Sequence, residues 1–342
     1  MPKFSALKSA VLCAQLLIGA AAPALAKETL VVYTGIHEEA FTSAIKKEFA
    51  RQTGIDVEML VIPANGTLIA RVETEKDRPR ADVIADTTID FLLKLKAEGL
   101  IEPYKAKAET DAFVKQGYAD PDGYLHGWFA ITPTIFWNKE RFAGDPALKG
   151  IQPPTSWDDL LNPAFKDKIV VPNPQTTAMG AVLYTTQIFR LGEAKAWEYA
   201  RALNTNVAQY TASASLPVAL VERGEGTIGV AWSSDVLGAT IGRGQQLGIA
   251  IPQDNAVSVW VAGIVKGGPN PEGARKFVDF LQSDFVQQAA AKLGYRLPVS
   301  PDVPTLEGVP PLSSIKAVNY DLVWAAQNID RIRKQWAKET NN

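Results

Sequence analysis

Short apolar runs alternate with amphipathic helical patterns along most of the 342-residue chain, and this alternation restricts the fold to the α/β class. Residues 30–33 form an apolar run typical of a buried strand, and Phe41, Ile45 and Phe49 then recur at helical spacing before Gly54. The first part of the chain is therefore expected to form a lobe around a largely parallel sheet. Its further elements are strands predicted at 57–62 and 81–85 and a helix at 89–98.

A second series of short strands follows the first and predicts a second lobe. Its strands are predicted at 169–171, 207–210, 228–232 and 248–251, and its helices at 178–191 and 216–223. Two stretches rich in aromatic and β-branched residues lie outside this series and predict strands that cross between the lobes, at 127–137 and 257–265. We therefore expect a two-lobed protein with two hinge crossover strands. The expected lobes are 27–127 with 262–342, and 128–261.

The C-terminal part of the chain predicts two long helices. One opens at Pro271 and carries apolar residues at helical spacing as far as Val286, and it is expected to rejoin the first lobe. The other spans about 313–338 and is expected to clasp the outside of the molecule.

Residues 1–26 have the pattern of a secretory signal peptide. Two lysines precede a mostly apolar stretch at 10–22, and the small-x-small triplet that ends at Ala26 is typical of a cleavage site. We expect this segment to be removed together with the single cysteine, Cys13, which leaves a periplasmic protein. No later stretch approaches the roughly 18 continuous apolar residues of a membrane span, so the mature protein is not expected to be membrane-embedded.

Charge and motif content argue against several other classes of function. The 35 basic and 37 acidic residues give a net charge of −2, so no basic field exists to hold nucleic acid. The sequence contains neither a Gly-x-Ser-x-Gly nor a His-Glu-x-x-His motif. An exported hydrolase, the alternative from another class, would have to use His37 with Glu38 or Asp86 as acid and base. The other histidine, His126, is expected at the surface.

Several segments together resemble one known family. They are Leu-Val-Val-Tyr-Thr-Gly at 30–35, Pro-Thr-Ser-Trp-Asp-Asp-Leu-Leu at 154–161, Pro163, and Lys-Asp-Lys-Ile at 166–169. With them the chain resembles type 2 periplasmic solute-binding proteins of ABC importers, within the group that includes ferric-ion, phosphonate, sugar-phosphate and polyamine receptors. The resemblance implies a monomer of two α/β lobes that closes on a small-molecule ligand without a cofactor and delivers it to an inner-membrane permease.

In open α/β sheets, ligands collect at the carboxyl ends of the strands, where helix N-termini present free N–H groups. After the first predicted strand, Thr34 or His37 can donate to an anion, and Gly35 allows close backbone approach. After the third predicted strand, Asp86 and Thr87 are candidates for the same reason. A carboxylate followed by hydroxyls can also cap its own helix, and this alternative applies to both loops.

The second lobe offers three loops of the same kind. Each joins a predicted strand to a helix and provides hydroxyls, exposed N–H groups and the positive end of a helix dipole, which together suit a phosphate-sized anion. The alternatives are helix capping for the polar side chains and core packing for the tryptophan. Weaker candidates are residues 65–67, Trp128 and Trp260. The candidates of the three loops are Gln175, Thr176, Thr177, Ser213, Trp232, Ser233 and Asp235.

The resemblance also ranks the possible ligands. Ferric-ion receptors of this group carry two adjacent tyrosines on the second lobe, and Trp232 and Ser233 stand in that place here, while His37 matches their histidine. Because Fe³⁺ prefers anionic oxygen, iron becomes the alternative, and no metal site is predicted. The expected ligand is a small phosphonate or phosphate, such as 2-aminoethylphosphonate or a sugar phosphate. Asp86 or Asp235 would meet an ammonium group.

Overall fold

The computed structural model of the protein describes residues 28–62 and 64–342. The predicted signal peptide, its cleavage near Ala26 and Cys13 lie outside the described residues. Within them the strands are β1 (Thr29–Thr34), β2 (Asp56–Val61), β3 (Val83–Thr88), β4 (Ile101–Glu102), β5 (His126–Ile131), β6 (Pro133–Asn138), β7 (Ile169–Pro172), β8 (Val207–Thr211), β9 (Ile228–Trp232), β10 (Leu247–Ala250) and β11 (Ser258–Val265).

The helices connect these strands and cover both sheets. They are α1 (Glu39–Thr53), α2 (Asn65–Thr74), α3 (Ile89–Ala97), α4 (Asp111–Lys115), α5 (Lys139–Gly144), α6 (Ala178–Leu191), α7 (Glu193–Asn204), α8 (Leu216–Glu222), α9 (Ser233–Leu237), α10 (Pro271–Leu281), α11 (Asp284–Gly294) and α12 (Leu322–Thr340). A π-helical turn, Gly238–Gly242, continues α9. In the described part of the chain, no helix is both long enough and apolar enough to cross a membrane.

The first sheet has the strand order β2-β1-β3-β11-β4, with β5 paired to β11. Strands β2, β1 and β3 are parallel, and β11 runs antiparallel to β3. The predicted helical face of α1 is confirmed, because Phe41, Ile45 and Phe49 are all completely buried against this sheet. Gly54 ends α1 in the left-handed conformation with φ 77°, which glycine adopts without steric cost. This sheet and its helices form the first lobe.

The second sheet has the strand order β10-β6-β9-β7-β8. Strands β8, β7 and β9 are parallel, β6 runs antiparallel to β9, and the edge strand β10 runs antiparallel to β6. Helix α6 has the predicted bounds, and Met179, Leu183 and Tyr184 on it are buried in the core of this sheet. The second sheet and its helices form the second lobe, so the two-lobed α/β fold is confirmed.

The chain crosses between the lobes twice. Only Thr132 separates β5 in the first sheet from β6 in the second, so the crossover predicted at 127–137 is confirmed. The return differs from its prediction, because β11 lies wholly in the first sheet and the crossing is made earlier, by residues 251–257. Asn255 ties the two crossings together, since its buried side-chain amide donates to the Pro133 carbonyl at 2.8 Å. Thr132 and residues 251–257 are called the hinge below.

The C-terminal predictions need correction. The helix predicted from Pro271 is divided into α10 and α11, because Ser283 begins a new helix as its N-cap. The last helix begins at Leu322, nine residues later than predicted from the sequence at about 313. Ile332 and Trp336 of α12 are completely buried in the core of the second lobe, which differs from the expected assignment of 262–342 to the first. The other lobe boundaries stay predictions.

His126 was expected at the surface, but its side chain is only 1% exposed. It lies at the start of β5, where Nδ1 is 2.7 Å from Oε1 of the buried Glu109. Gln282 donates to the same carboxylate oxygen at 3.0 Å. His126 therefore belongs to the interior of the first lobe, where Nδ1 has the kind of hydrogen-bond partner that a buried polar group requires.

Candidate functional site

Two sheet edges carry most of the predicted site residues. In the first sheet, the carboxyl ends of β1, β2 and β3 share one edge, because these strands are parallel. In the second sheet, the ends of β7, β8 and β9 share one edge for the same reason. Each edge therefore gathers loops that are distant in the sequence, as ligand sites of α/β proteins require.

Asp86 is the most constrained residue of the first edge. It was expected in a loop, but it lies within β3 with a left-handed φ of 70°, and its side chain is only 6% exposed. A Cβ at Gly35 would lie 2.7 Å from Asp86 Oδ2, so any larger residue at position 35 would displace this carboxylate. A left-handed non-glycine residue is costly, and such strain concentrates at functional sites.

Two other predicted residues of the first edge lie inside the lobe. Thr34 is completely buried, and its hydroxyl oxygen accepts from the Ile36 N–H at 3.1 Å. Thr87 is also completely buried. His37 is exposed in the loop before α1. Of the weaker candidates, residues 65–67 form the first turn of α2, and Trp128 is buried beside Phe129.

The loop before α6 is built mainly as a helix cap. Thr177 is the N-cap: its Oγ1 accepts from the Gly180 N–H at 3.0 Å and donates to the Asn173 carbonyl at 2.8 Å. The hydroxyl proton of Thr177 is therefore already in use within the loop. Gln175 and Thr176 are exposed at this edge. They remain the side chains of this loop that are accessible to a ligand.

The other two loops of the second edge also differ from each other. Ser213 is exposed, with Oγ 3.2 Å from Ser215 Oγ. Ser233 is completely buried, and its Oγ accepts from the Thr132 N–H at 3.2 Å, which makes it part of the hinge contacts. Trp232 packs against the cores of both lobes, and Asp235 lies half-buried in the first turn of α9.

The two edges face each other across a cleft. The same three charged groups, Arg296, Glu38 and His37 of the first lobe, act on both Asp86 and Asp235. Because Coulomb interactions weaken with distance, this shared influence indicates that Asp235 of the second lobe lies near the first-lobe edge. Trp232 bridges the two cores beside it. We call this region between the lobes, around Asp86 and Asp235, the cleft.

Arg296 is the residue that the sequence analysis missed. It follows α11, is 9% exposed, and pairs with Glu38 at 2.9 Å between Nη1 and Oε1. Its guanidinium also lies over the rings of Phe41 and Phe129, with centroid distances of 5.4 and 4.9 Å. A lone arginine in the apolar stretch 294–299 was the available signal, but this stretch does not follow a strand of either sheet.

The charges of the cleft are out of balance. Burial raises the pKa of Asp86 to about 7, against the opposing effect of Arg296. Burial likewise raises the pKa of Asp235 to about 6, again opposed by Arg296. Burial also acts to raise the pKa of Glu38, but the charge and hydrogen bonds of Arg296 outweigh it and leave that pKa below its usual value. The cleft therefore lacks the positive charge that would keep all three carboxylates ionised.

Within residues 28–62 and 64–342, no group of three or more histidine, cysteine, aspartate or glutamate side chains is placed to hold a metal ion.

The chain matches a known protein family over most of its length. The model of the bacterial extracellular solute-binding protein family matches residues 78–323. The chain belongs to this family. The solved structure of the periplasmic binding protein P5PA has 25% sequence identity and a TM-score of 0.71, and the match covers 92% of this chain and 99% of that one. The resemblance to type 2 solute-binding proteins of ABC importers is thereby confirmed, and the protein is a periplasmic receptor of such an importer.

Relatives of this chain match it over most of its length. An uncharacterized protein of Haemophilus influenzae is 30% identical, with 98% of each chain covered. A protein of Salmonella paratyphi A named "Putative 2-aminoethylphosphonate-binding periplasmic protein" is 25% identical, covering 83% of this chain and 82% of the relative. The major ferric iron-binding protein of Neisseria meningitidis serogroup B is 27% identical, covering 87% and 88%. These relatives are binding proteins by name where a function is given.

The buried carboxylate of Asp86 predicts a pH-dependent stability. Burial on folding raises the pKa of Asp86 from 3.8 to about 7. The contribution of this side chain to the free energy of unfolding is therefore fully present below about pH 4 and is lost as the pH rises through 7. Asp86→Asn removes this loss because asparagine carries no titrating group, and asparagine also adopts the left-handed backbone conformation. We expect the variant to gain stability over the wild type by up to about 1.4 kcal/mol per pH unit between pH 4 and 7. Urea unfolding at pH 4.5 and pH 8 measures it.

The exposed Asp302 supplies the matched control, because Asp302→Asn should change stability equally at both pH values. A stability difference between Asp86→Asn and wild type that is the same at pH 4.5 and pH 8 would contradict the raised pKa.

Substitutions at the neighbouring Thr176 and Thr177 are expected to have different effects on the free energy of unfolding. Thr177→Ala removes the cap of α6 and should lower the free energy of unfolding by about 1 kcal/mol. Thr176→Ala, at an exposed position, should change it by less than about 0.5 kcal/mol. Urea unfolding without ligand compares the two variants. Equal losses would show that Thr177 does not act as the cap.

Proposed function

We propose that this receptor traps a small organic phosphonate or phosphate that also carries an amino group, with 2-aminoethylphosphonate as the representative ligand. The observation that supports it is a pair of carboxylates, the buried Asp86 of the first lobe and the half-buried Asp235 of the second, for which the described residues supply no ion-pair partner. The lobes close around the ligand and deliver it intact to the permease.

An ammonium group fits the charges of the cleft. When Asp86, Asp235 and Glu38 are all ionised, they outnumber the guanidinium of Arg296, which is already paired with Glu38. A ligand cation between Asp86 and Asp235 would favour their ionised forms and thereby gain binding free energy. A sugar phosphate without an amine brings only negative charge to the same place. The charge balance therefore favours the amino-bearing ligand of the two expected ones.

The anionic end of the ligand has suitable partners at the second edge. Helix α6 is 14 residues long, and its N-terminus presents the positive end of the helix dipole. Gln175 and Thr176 are exposed beside it, and neutral donors together with a helix N-terminus are sufficient to hold a phosphonate. His37 can add a donor from the first lobe. The name of the Salmonella relative supports the same ligand class.

We further propose that cleavage after Ala26 releases the receptor and that it works as a monomer without a catalytic step. Strand β1 begins at Thr29, so cleavage at that place would leave the first sheet intact.

The decisive measurement is calorimetric titration with 2-aminoethylphosphonate and with ethylphosphonate, which lacks the amine. We expect the amine to improve affinity, and Asp86→Asn to reduce the affinity for 2-aminoethylphosphonate by about 1.5–3 kcal/mol while hardly affecting ethylphosphonate. Affinity for the amine should rise between pH 5 and pH 8, because the carboxylates with pKa values of about 7 and about 6 must lose protons to bind it.

Asp302→Asn, remote from any described contact, serves as the control for the charge change. Equal affinity for both phosphonates, or an affinity for the amine that falls with rising pH, would refute the proposed ligand. Colour and tight binding on addition of ferric salts would instead favour iron, the alternative expected from the sequence.

A further inference from the structure

Tyr295 makes a contact between the lobes. Its ring lies against two glycines of the second lobe, with Cδ2 3.3 Å from the position that a Cβ would take at Gly238. The hydroxyl oxygen of Tyr295 occupies the space that a Cβ would need at Gly242. The absence of a side chain at Gly242 therefore lets the hydroxyl end of the ring fit, and the ring packs tightly over Gly238.

The two sides of this contact belong to different cores. Tyr295 ends α11, whose Val286 and Ala290 are buried in the core of the first lobe. The two glycines bound the π-helical turn after α9, and Ala239 within that turn is buried in a cluster with Phe136 of the second sheet. The ring therefore reaches from one lobe to the other.

The backbone of Tyr295 indicates that its side chain has a role. It forms the C-cap of α11 in the left-handed conformation, with φ 55°. Glycine is the usual residue there, because a Cβ is strained in this conformation. A tyrosine at a position that glycine fills without strain points to a function of the ring itself.

The contact is linked to the cleft on both sides. The residue after Tyr295 is Arg296, which pairs with Glu38 and acts on Asp86. On the other side, Gly238 lies three residues after Asp235, one helical turn away. Movement of the ring against the glycines therefore changes the distance between the lobes beside both carboxylates.

We infer that Tyr295 is the closure contact of this receptor, a positioning residue that holds the second lobe on the first and sets the separation of Asp86 and Asp235. This inference rests on the proposed function, since that separation matters only to a ligand gripped by both carboxylates. Closure of two lobes around a hinge is the motion that such a contact would control.

The first experiment traps the contact without using a ligand. The full chain carries Cys13→Ser, which removes its one native cysteine, together with Gly238→Cys and Tyr295→Cys. Because the Tyr295 ring packs against position 238, with Cγ 3.9 Å from the Cβ position there, cysteines at the two positions lie close enough for oxidation to test the contact. We expect mild oxidation to cross-link this pair and not the control pair Gly144→Cys with Tyr295→Cys. Equal cross-linking of the two pairs would overturn the inference.

The cross-linked protein then separates the inference from the proposed ligand. We expect it not to take up 2-aminoethylphosphonate until it is reduced, because the closed cleft excludes the ligand. Uptake at an unchanged rate by the cross-linked form would overturn the role in closure. Cross-linking of this pair, together with no binding of 2-aminoethylphosphonate by the wild-type protein, would support the closure contact and refute the proposed ligand.

The second experiment tests how the ring sets the closed state. Gly242→Ala places a methyl group in the space of the Tyr295 hydroxyl and should weaken binding of 2-aminoethylphosphonate about tenfold, mainly through faster dissociation. In a Tyr295→Leu background, which removes the outer ring atoms, Gly242→Ala should have no further effect. Gly144→Ala, with no atom within 4 Å of the new Cβ, is the matched control.

Additive effects of Gly242→Ala and Tyr295→Leu on the dissociation rate would overturn the inference. The inference would also be overturned if these substitutions lowered the unfolding midpoint of the ligand-free protein in parallel with its affinity for the ligand. The ring would then stabilise the fold and not the closed cleft.

Discussion

Arg296, held in an ion pair with Glu38, supplies the positive charge on which the cleft depends. The guanidinium acts on Asp86 from its own lobe and on Asp235 from the other, and burial opposes it at both carboxylates. Burial outweighs the guanidinium at Asp86, whose pKa of about 7 leaves this carboxylate only partly ionised at neutral pH. The fold thus prepares a place for a cation that the described part of the chain does not provide, and this is the basis of the proposed preference for an amino-bearing ligand.

Backbone strain occurs on the same side of the first lobe. Asp86 has a φ of 70° within β3, and Tyr295 has a φ of 55° at the end of α11. Both conformations cost energy in residues that carry a Cβ, and both side chains belong to surfaces that face the second lobe. A receptor that binds and releases its ligand gives up some stability at such positions in exchange for contacts made on closing. The raised pKa of Asp86 also indicates stability given up at this position, because a neutral residue there would stabilise the empty protein.

Local patterns predicted much of the fold and less of the cleft. The spacing of Phe41, Ile45 and Phe49 gave the buried face of α1, and α6 was predicted with its observed bounds. The expected loop residues do lie at the two sheet edges, because parallel strands end together. Hydrogen bonding then divides them: Thr177 caps its own helix and Ser233 joins the hinge. The sequence could not separate these roles, since the same hydroxyl can serve a cap or an anion.

By itself, the sequence determined the alternation of strands and helices, the two lobes and the family resemblance, because periodicity and short motifs depend on residues close together in the chain. Only the tertiary structure decided the charge of the cleft and the contact that bridges it. Arg296 and Glu38 are 258 positions apart, and Tyr295 meets glycines of the other lobe. A pKa depends on burial and on nearby charges of any origin in the chain, so it is fixed only when distant segments are brought together.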